Sequence, residues 1–266
     1  MPAPSENTTD LDPQRLAELL GSQWPSALVT SSTASTNRDL AQAAMVGAPA
    51  WTIHTTHHQV AGRGRLDRTF EMPEGTGIAL SVLVRPRPDA PLPWTWLPHL
   101  AGLAVAQSFE ALGVPTVLKW PNDVLTREQK KLAGILVERV ETPTGPAAVV
   151  GVGINVSLSP EQLPVPTATS LRIEGAASTN RADILVAIAT TLREWVGRWE
   201  AGDLSAIKSA YGDLCLTVGQ RVRILIEGAD DINGLAEGID DFGCLIVDGT
   251  PYSAGDVQHV RPQKQA

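Results

Sequence analysis

An arginine- and glycine-rich segment, residues 61–68, is the part of the chain whose residue types most directly suggest chemistry. It places Arg63, Arg65 and Arg68 within six residues, with glycine at positions 62 and 64. Guanidinium groups offer paired N–H donors to phosphates and carboxylates, and glycine lets the backbone approach a ligand closely. The pattern predicts an anion-binding loop. A solvated basic turn or an RNA-binding tail is the alternative that these residues leave open.

A second group of polar residues lies where predicted strands end. Residues 119–123 read Lys-Trp-Pro-Asn-Asp, and residues 131–134, which begin the next strand, read Lys-Leu-Ala-Gly. Sites of α/β proteins usually lie at strand ends, and a lysine beside an aspartate can stabilise charge and accept a proton in acyl transfer. From these residues alone, a hairpin with a surface ion pair is the simpler interpretation.

The glycine-rich run at residues 151–156 resembles half of a dinucleotide-binding fingerprint. However, Val156 occupies the third glycine position, and Pro160 follows too soon for the required helix. A Walker loop and a Gly-x-Ser-x-Gly elbow are also missing from the sequence. Glycines within a strand instead favour close approach of a ligand to the backbone, with Asn155 as donor and acceptor.

The histidines and cysteines do not suggest a metal site. In the predicted strand 51–58, alternation directs His57 to the opposite face from His54 and His58, and no cysteine lies nearby in sequence. The two cysteines, Cys215 and Cys244, are too few for a disulfide framework and suit a reducing compartment as buried thiols.

Length and composition predict a cytoplasmic globular protein. The 266 residues are 43% apolar, which is enough to fill a core without disulfides. The 21 basic and 29 acidic residues give a net charge of −8, which argues against nucleic-acid and anionic-membrane partners. No apolar run approaches the roughly 18 residues of a membrane span.

The spacing of apolar residues predicts an α/β body followed by a small β-barrel. Helices are expected after the N-caps at Asp12 and Ser35 and over residues 97–112 and 181–199. Strands are expected at 51–58, 78–84, 116–120, 131–140 and 147–156, the last two forming a hairpin, with a long loop at 157–179. Short strands follow at 221–226, 234–239, 244–247 and 258–261. The expected units are a tail with a short helix (1–24), a catalytic domain (25–215) and a barrel (216–266).

Six motifs, in order, resemble those of the biotin protein ligase family, and the resemblance covers about residues 25–262. The motifs are Ser-Thr-Asn at 35–37, Gln-Val-Ala-Gly-Arg-Gly-Arg at 59–65, Lys-Trp-Pro-Asn-Asp at 119–123, Lys-Leu-Ala-Gly-Ile-Leu at 131–136, Gly-Val-Gly-Ile-Asn-Val at 151–156 and Ala-Thr-Ser-Leu at 168–171. The resemblance implies a mixed-sheet α/β (α+β) biotin/lipoate ligase catalytic domain with a C-terminal SH3-like β-barrel.

This family joins biotin and ATP into biotinyl-5′-adenylate, with magnesium accompanying the pyrophosphate, and then transfers biotin to a lysine of a biotin carboxyl carrier domain of an acyl-CoA carboxylase. The resemblance assigns catalysis to Lys131, Arg65 and Asp123. It assigns biotin binding to Ser35, Thr36, Asn37, Gln59, Gly62, Arg63, Arg65, Lys131 and Gly134. It assigns ATP and adenylate binding to Arg63, Arg65, Arg68, Phe70, Asn122, Lys131 and Asn155.

Three positions qualify the resemblance. Phe70 stands where the family usually has a tryptophan that stacks on adenine, and a phenyl ring offers less stacking area. Residues 125–130 are expected to form a flexible, polar turn before the Lys-Leu-Ala-Gly motif, and the register of that motif selects Lys131, not Lys130, as the active lysine. The catalytic pattern begins by Ser35, so a monofunctional ligase is expected, without the N-terminal winged helix of the dual-function members.

Three other functions remain as alternatives. A lipoate or octanoate ligase shares the expected fold, but its recognition pocket would be apolar where Ser35, Thr36, Asn37 and Gln59 are polar. A noncatalytic biotin or nucleotide sensor would bind without transferring biotin. A nucleic-acid-binding regulator is disfavoured by the negative net charge.

Overall fold

The structure, a computed structural model, describes residues 10–62, 64, 70, 72–225, 230–253 and 255–259. A seven-stranded mixed sheet forms the body, in the order β1-β2-β3-β7-β6-β5-β4; β1 and β2 are parallel and all other neighbours are antiparallel. Its strands are β1 (Ala27–Thr33), β2 (Ile53–Gln59), β3 (Gly77–Val84), β4 (Thr116–Lys119), β5 (Asp123–Thr126), β6 (Lys131–Thr142) and β7 (Gly145–Asn155). The mixed α/β fold expected from the sequence is confirmed.

Side-chain caps fix where the helices start. Asp12 accepts a hydrogen bond from the backbone N–H of Arg15, and Ser35 caps the second helix in the same way, which confirms both predicted starts. Asn180 and Asp203 cap the last two helices. The helices are α1 (Pro13–Leu20), α2 (Thr36–Met45), α3 (Leu97–Ala111), α4 (Arg181–Glu200) and α5 (Leu204–Leu214).

The sheet is covered on both faces, so β3 is buried along its whole length. Alternate residues of β3, Ile78, Leu80 and Val82, join the main core, which also contains residues of α3 and α4. On the opposite face Leu83 packs with Leu40 of α2 in a smaller cluster. The second face is therefore only partly covered by apolar side chains, and it is the face that carries polar groups near the start of α2.

Most of the predicted elements are confirmed, including the β6–β7 hairpin and the long α4. The sequence analysis did not identify β1, β5, α5 or the strand at Thr250–Tyr252. The prediction of a polar turn at residues 125–130 was wrong at its start, because Leu125 and Thr126 belong to β5 and both are buried. β5 was not predicted because it is only four residues long. Gln129, with a φ of 64°, reverses the chain soon after it.

The C-terminal part forms a five-stranded antiparallel sheet, in the order β11-β10-β9-β8-β12, which fits a small SH3-like domain. Its strands are β8 (Arg221–Leu225), β9 (Ile232–Ile239), β10 (Leu245–Val247), β11 (Thr250–Tyr252) and β12 (Asp256–His259). A turn of this sheet contacts the body, since the ring N–H groups of Trp96 and Trp120 donate to the carbonyls of Asp241 and Gly243 at 2.9 and 3.3 Å.

Within the described part of the chain, no helix combines the length and the apolar character needed to cross a membrane.

Candidate functional site

A strip of bare backbone crosses the face of the sheet that carries α2. Gly134 of β6 and Gly153 of β7 are paired across the two strands, and Gly151 lies two residues earlier on the same face. A Cβ on Gly153 would come within 2.7 Å of the Phe70 ring, and one on Gly151 within 2.3 Å of Asn37 Oδ1. We call these three residues the glycine strip. Only glycine permits such close approach.

The N-terminus of α2 closes one end of the glycine strip with buried polar groups. Ser35, Thr36 and Asn37 are each about 95% buried or more. The backbone N–H and the hydroxyl of Thr36 lie 3.0 and 3.2 Å from Gln59 Oε1, at the end of β2. The structure therefore brings together the four polar residues that the sequence analysis assigned to recognition of a biotin head group.

Ser81 of β3 is a fifth member of this group, and the sequence analysis missed it. Its hydroxyl oxygen lies 2.8 Å from Thr36 Oγ1 and 2.6 Å from Asn37 Oδ1. The available signal was a single polar side chain in the apolar strand Gly-Ile-Ala-Leu-Ser-Val-Leu-Val. We refer to Ser35, Thr36, Asn37, Gln59 and Ser81 as the head-end cradle.

Asn37 is held from a second side by β6. Its Nδ2 donates to the Leu136 carbonyl at 3.1 Å and to Glu138 Oε2 at 2.8 Å. Both polar atoms of the Asn37 side chain thus have partners within the protein. Glu138 is another residue that the sequence analysis did not identify, because its contact with Asn37 spans 101 residues of chain.

The opposite end of the strip carries an ion pair between Lys131 and Asp123. Lys131 Nζ lies 2.6 Å from Asp123 Oδ1, and the two side chains are 36% and 22% exposed. Asp123 is the strand partner of Gly134, and a Cβ on Gly134 would lie 3.3 Å from Lys131 Nζ. A cation and a carboxylate are therefore placed together where the bare backbone ends, within reach of solvent. Such a pair can stabilise developing negative charge and accept a proton.

The backbone around Lys131 is fixed by two asparagines and the predicted long loop. Asn122 Nδ2 donates to the Ile135 carbonyl at 2.9 Å, and Asn155 Nδ2 lies 3.4 Å from the Lys131 carbonyl. The Lys131 N–H donates to the Thr167 carbonyl at 2.7 Å, and the Lys131 carbonyl accepts from Thr169 N–H at 2.9 Å. Two residues of the long loop, Thr167 and Thr169, thus contact the backbone of Lys131 directly.

Phe70 lies over the middle of the strip. Its ring contacts the backbone of Gly153 and lies near Gly134, and its N–H donates to the Gly62 carbonyl at 2.9 Å. Gly62 and Phe70 therefore lie side by side over this face of the sheet. Arg63, Arg65 and Arg68, assigned to anion and adenylate binding, lie outside the described residues, so their roles stay predictions.

His54 lies beside the head-end cradle in a buried environment. Burial lowers its pKa, and the Asp39 carboxylate, 3.8 Å from Nδ1, opposes that shift. The pKa of His57 is also lowered, first by burial and then by the charge of Arg181, which lies at the start of α4 on the other side of the sheet. The predicted alternation of the two histidines is thus confirmed. Among the described residues, no group of three or more His, Cys, Asp or Glu side chains could hold a metal ion.

The chain is similar to known protein families and to individual relatives. Residues 29–155 match the biotin/lipoate A/B protein ligase family, and residues 217–260 match the biotin protein ligase C-terminal domain. The chain is 41% identical over 264 residues to a biotin–[acetyl-CoA-carboxylase] ligase of Mycobacterium tuberculosis, covering 94% of this chain and 96% of that protein. It is 33% identical to a ligase of the same name from Paracoccus denitrificans, with coverage of 82% and 92%.

The structure also resembles a solved one, the biotin protein ligase from Aquifex aeolicus in complex with biotin and ATP. The TM-score is 0.73 at 25% identity, and the match covers 90% of this chain and 100% of the other. The chain belongs to the biotin protein ligase family.

Proposed function

We propose that the protein activates biotin with ATP to form biotinyl-5′-adenylate and transfers the biotinyl group to one lysine of a biotin carboxyl carrier domain of an acyl-CoA carboxylase. The observation that carries this proposal is the bare glycine strip, with polar hydrogen-bonding groups at one end and the Lys131–Asp123 pair at the other. The names of the relatives from M. tuberculosis and P. denitrificans support it.

In the first step, the biotin carboxylate attacks the α-phosphorus of ATP, a P–O bond forms, and pyrophosphate leaves. Negative charge grows on the α-phosphate oxygens, and the Lys131 ammonium group is placed to stabilise it. The head-end cradle holds the other end of biotin, so that the carboxylate is presented in one position. Arg63, Arg65 and Arg68 would neutralise phosphate and carboxylate charge, with Arg65 taking part in catalysis.

In the second step, the acceptor lysine amine attacks the carbonyl carbon of the adenylate, and AMP leaves as the amide forms. The attacking nitrogen must lose a proton, and the Asp123 carboxylate is the acceptor we assign. Its 22% exposed side chain lies at the edge of the site, where a carrier domain can approach. Asn122 and Asn155 hold the backbone of the site near the adenylate, and Phe70 stacks on its adenine.

Magnesium fits this site only as a companion of the ATP phosphates. Magnesium is usually bound by one or two carboxylates together with substrate phosphates and water. The partly exposed Asp123 carboxylate is the group that would hold it, together with phosphate oxygens and water. When bound, the ion would neutralise charge on the departing pyrophosphate.

The proposed domain organisation places a tail and short helix in residues 1–24, the catalytic domain in 25–215 and the SH3-like domain in 216–266. The last boundary lies near the point where the chain leaves the body, since Cys215 and Leu216 contact Leu118 of β4 and the second sheet begins at Arg221. The proposed compartment is the cytoplasm, which suits the free thiols of Cys215 and Cys244.

A lipoate or octanoate ligase is the main alternative within the same family of folds. Its substrates carry no N–H or carbonyl group at the end distant from the carboxylate. The head-end cradle buries several polar groups, and leaving them without partners would cost binding free energy. This arrangement favours a cyclic urea over an apolar chain.

The decisive experiment incubates the purified protein and ATP with either biotin and a biotin carboxyl carrier domain or lipoate and a lipoate-accepting domain. Intact-mass spectrometry should show the gain of one biotinyl group, only when ATP is present. Modification by lipoate instead of biotin would establish the alternative. Tight biotin binding in calorimetry without any transfer would point to a noncatalytic sensor.

A further inference from the structure

The turn between β4 and β5 leads directly into Asp123, the carboxylate assigned to proton transfer. The turn consists of residues 120–122, and Lys119 and Asp123 are paired across it. β5 is only four residues long, and its pairing with β6 shifts register between Val124 and Leu125. A ladder this short and irregular does little to fix its first residue. The position of the Asp123 carboxylate therefore depends on how the preceding turn is anchored.

Trp120, the first residue of this turn, is anchored through both of its N–H groups. Its backbone N–H donates to Thr217 Oγ1 at 3.0 Å, and its indole N–H donates to the Gly243 carbonyl at 3.3 Å. The two partners lie 97 and 123 residues further along the chain. Trp120 and Thr217 are both fully buried, so the backbone N–H would have no partner if the Thr217 oxygen were removed.

Thr217, which lies between α5 and β8, is itself held from two sides. Its Oγ1 lies 3.3 Å from His259 Nε2 of β12, in addition to its contact with Trp120. The preceding residue, Leu216, donates its backbone N–H to the Leu118 carbonyl of β4 at 2.8 Å. Thr217 thus links the last strand of the C-terminal sheet to the turn that precedes Asp123.

The Gly243 carbonyl belongs to a turn of the C-terminal sheet that the body holds by several other hydrogen bonds. The carbonyls of residues 241–243 all accept from side chains of the body. Trp96 donates to the first of these carbonyls at 2.9 Å. His99 Nε2 lies 2.8 Å from the last, and it must be the donor because a carbonyl only accepts. The acceptor of the Trp120 indole is therefore fixed independently of Trp120.

On its other side, the turn is tied to β6 through Asn122. The Asn122 carbonyl accepts from the Ile135 N–H at 2.9 Å, and Asn122 Nδ2 donates to the Ile135 carbonyl at 2.9 Å. Asp123 follows directly, with Oδ1 2.6 Å from Lys131 Nζ. The turn is thus held between the C-terminal part and the strand that carries Lys131. A displacement of Trp120 would move the Asp123 carboxylate relative to the ammonium group.

We propose that Thr217 is a positioning residue for the transfer step, which acts through Trp120 to hold the Asp123 carboxylate where it accepts the proton of the incoming amine. This inference rests on the proposed function and adds a residue that lies outside the glycine strip. Misplacement of a reacting group by about 1 Å can lower a rate about 100-fold. The head-end cradle lies at the opposite end of the strip, so the affinity for biotin should not depend on Thr217.

The test substitutes Thr217→Val, which keeps the shape of the side chain and removes the oxygen that accepts from Trp120. Single-turnover transfer from preformed adenylate to the carrier domain should slow about 10-fold, because the turn shifts to bring its buried N–H to another acceptor. The dissociation constant for biotin, measured by calorimetry without ATP, should stay within about twofold of the original value. Thr217→Ser, which retains the oxygen, should keep the transfer rate within about twofold.

A double-mutant cycle with Asp123→Asn gives a readout that a merely structural role of Thr217 would not move. The transfer rates of the unsubstituted protein, the two single variants and the double variant are compared at saturating carrier domain. Because Thr217 acts through the Asp123 carboxylate, Thr217→Val should slow transfer by less than about twofold once that carboxylate is gone. A general loosening of the fold would instead slow transfer by the same factor in both backgrounds.

Thr52→Val is the matched control. Thr52 is also a buried threonine, its hydroxyl donates to the Pro49 carbonyl at 2.8 Å, and it lies just before β2. This variant should keep the transfer rate within about twofold. Trp120→Phe is a second variant, because it removes the indole N–H and leaves an aromatic ring in the core. It should slow transfer about 3-fold, again only when the Asp123 carboxylate is present.

The outcomes separate this inference from the proposed function. If a folded Thr217→Val variant transfers biotin as fast as Thr52→Val, or slows transfer equally with and without the Asp123 carboxylate, the role of Thr217 is wrong and the ligase assignment stands. If the unsubstituted protein transfers no biotin, the proposed function fails, and the inference fails with it. A loss confined to proteins that retain Asp123, with unchanged biotin affinity, supports the proposal. If Thr217→Val does not fold, Trp120→Phe in the same cycle decides between these outcomes.

Discussion

The two ends of the glycine strip are built on different physical principles. The head-end cradle is buried and joined by hydrogen bonds between groups from α2, β2, β3 and β6. The other end depends on one ion pair, Lys131–Asp123, which is partly exposed. The first arrangement preorganises recognition, because its groups cannot move without losing hydrogen bonds. The second keeps two charges accessible to a phosphate and to an incoming amine.

This difference predicts which property each end controls. A partly exposed ion pair contributes little to folding stability, since solvent screens it. Its chemical contribution can still be large, because charge develops beside it during the reaction. Substitutions at the Lys131–Asp123 pair should therefore change rates more than stability, and substitutions at the head-end cradle should change affinity and stability together.

The largest effect is expected for Lys131→Ala. Loss of the cation where negative charge develops should slow adenylate formation about 100- to 1000-fold, with little change in melting temperature. Pyrophosphate release in the presence of biotin and ATP measures the rate. Lys208→Ala is a matched control, because Lys208 also lies 2.6 Å from an aspartate, Asp241, and is equally exposed at 36%. Near-normal pyrophosphate release by Lys131→Ala would contradict the assignment.

A smaller effect is expected for Asp123→Asn. Removal of the proton acceptor should slow transfer from preformed adenylate to the carrier domain about 100-fold. The deficit should shrink as pH rises, because a deprotonated acceptor lysine no longer needs a base. Single-turnover transfer assays across a pH series measure both quantities. If the rate of transfer were reduced equally at all pH values, Asp123 would only position Lys131. Asp241→Asn is the control, because Asp241 also forms an ion pair at the surface.

Phe70→Trp should have a moderate effect, and it should strengthen retention of the adenylate instead of impairing a step of the reaction. An indole ring offers more stacking area than phenyl, so the adenylate should dissociate about 3- to 10-fold more slowly. Release of labelled adenylate from a preloaded enzyme gives the rate constant. Phe242→Trp, at a 63% exposed turn of the C-terminal sheet, is the matched control and should leave release unchanged. Faster release from Phe70→Trp would show that the ring does not stack on the ligand.

The smallest effect concerns the stability of the head end in acid. His54 has a lowered pKa in the folded protein, mainly through burial, so folding favours its neutral form. Below about pH 6.5 the unfolded chain takes up a proton that folded His54 does not. The free energy of unfolding should therefore decrease as the pH is lowered below this value.

His54→Gln should reduce this pH dependence, although His57 and His259, whose pKa values are also lowered by burial, would retain part of it. Urea unfolding at about pH 7.5 and about pH 5.5 measures the difference for both proteins. An unchanged difference between the two pH values would show that folded His54 takes up its proton as readily as the unfolded chain does.

The fold was predictable wherever a local signal existed. The caps at Asp12 and Ser35 gave the helix starts, and the apolar pattern of α4 gave its length. β1 and β5 were not predicted, because an edge strand with half-exposed side chains and a four-residue strand have weak patterns. Their identity depends on the strands they pair with, which lie elsewhere in the chain.

Short-range spacing was enough to predict the residue types and the local order of the site: a capped helix that begins with Ser-Thr-Asn, the glycines of β6 and β7, and an aspartate that follows one predicted strand and a lysine that begins the next. Contacts between distant segments, which only the folded structure shows, bring Ser81 and Glu138 into the cradle and occupy the Asn37 side chain with hydrogen bonds to both. The direction of a hydrogen bond depends on which donors and acceptors meet in space, and these came from segments separated by up to 101 residues.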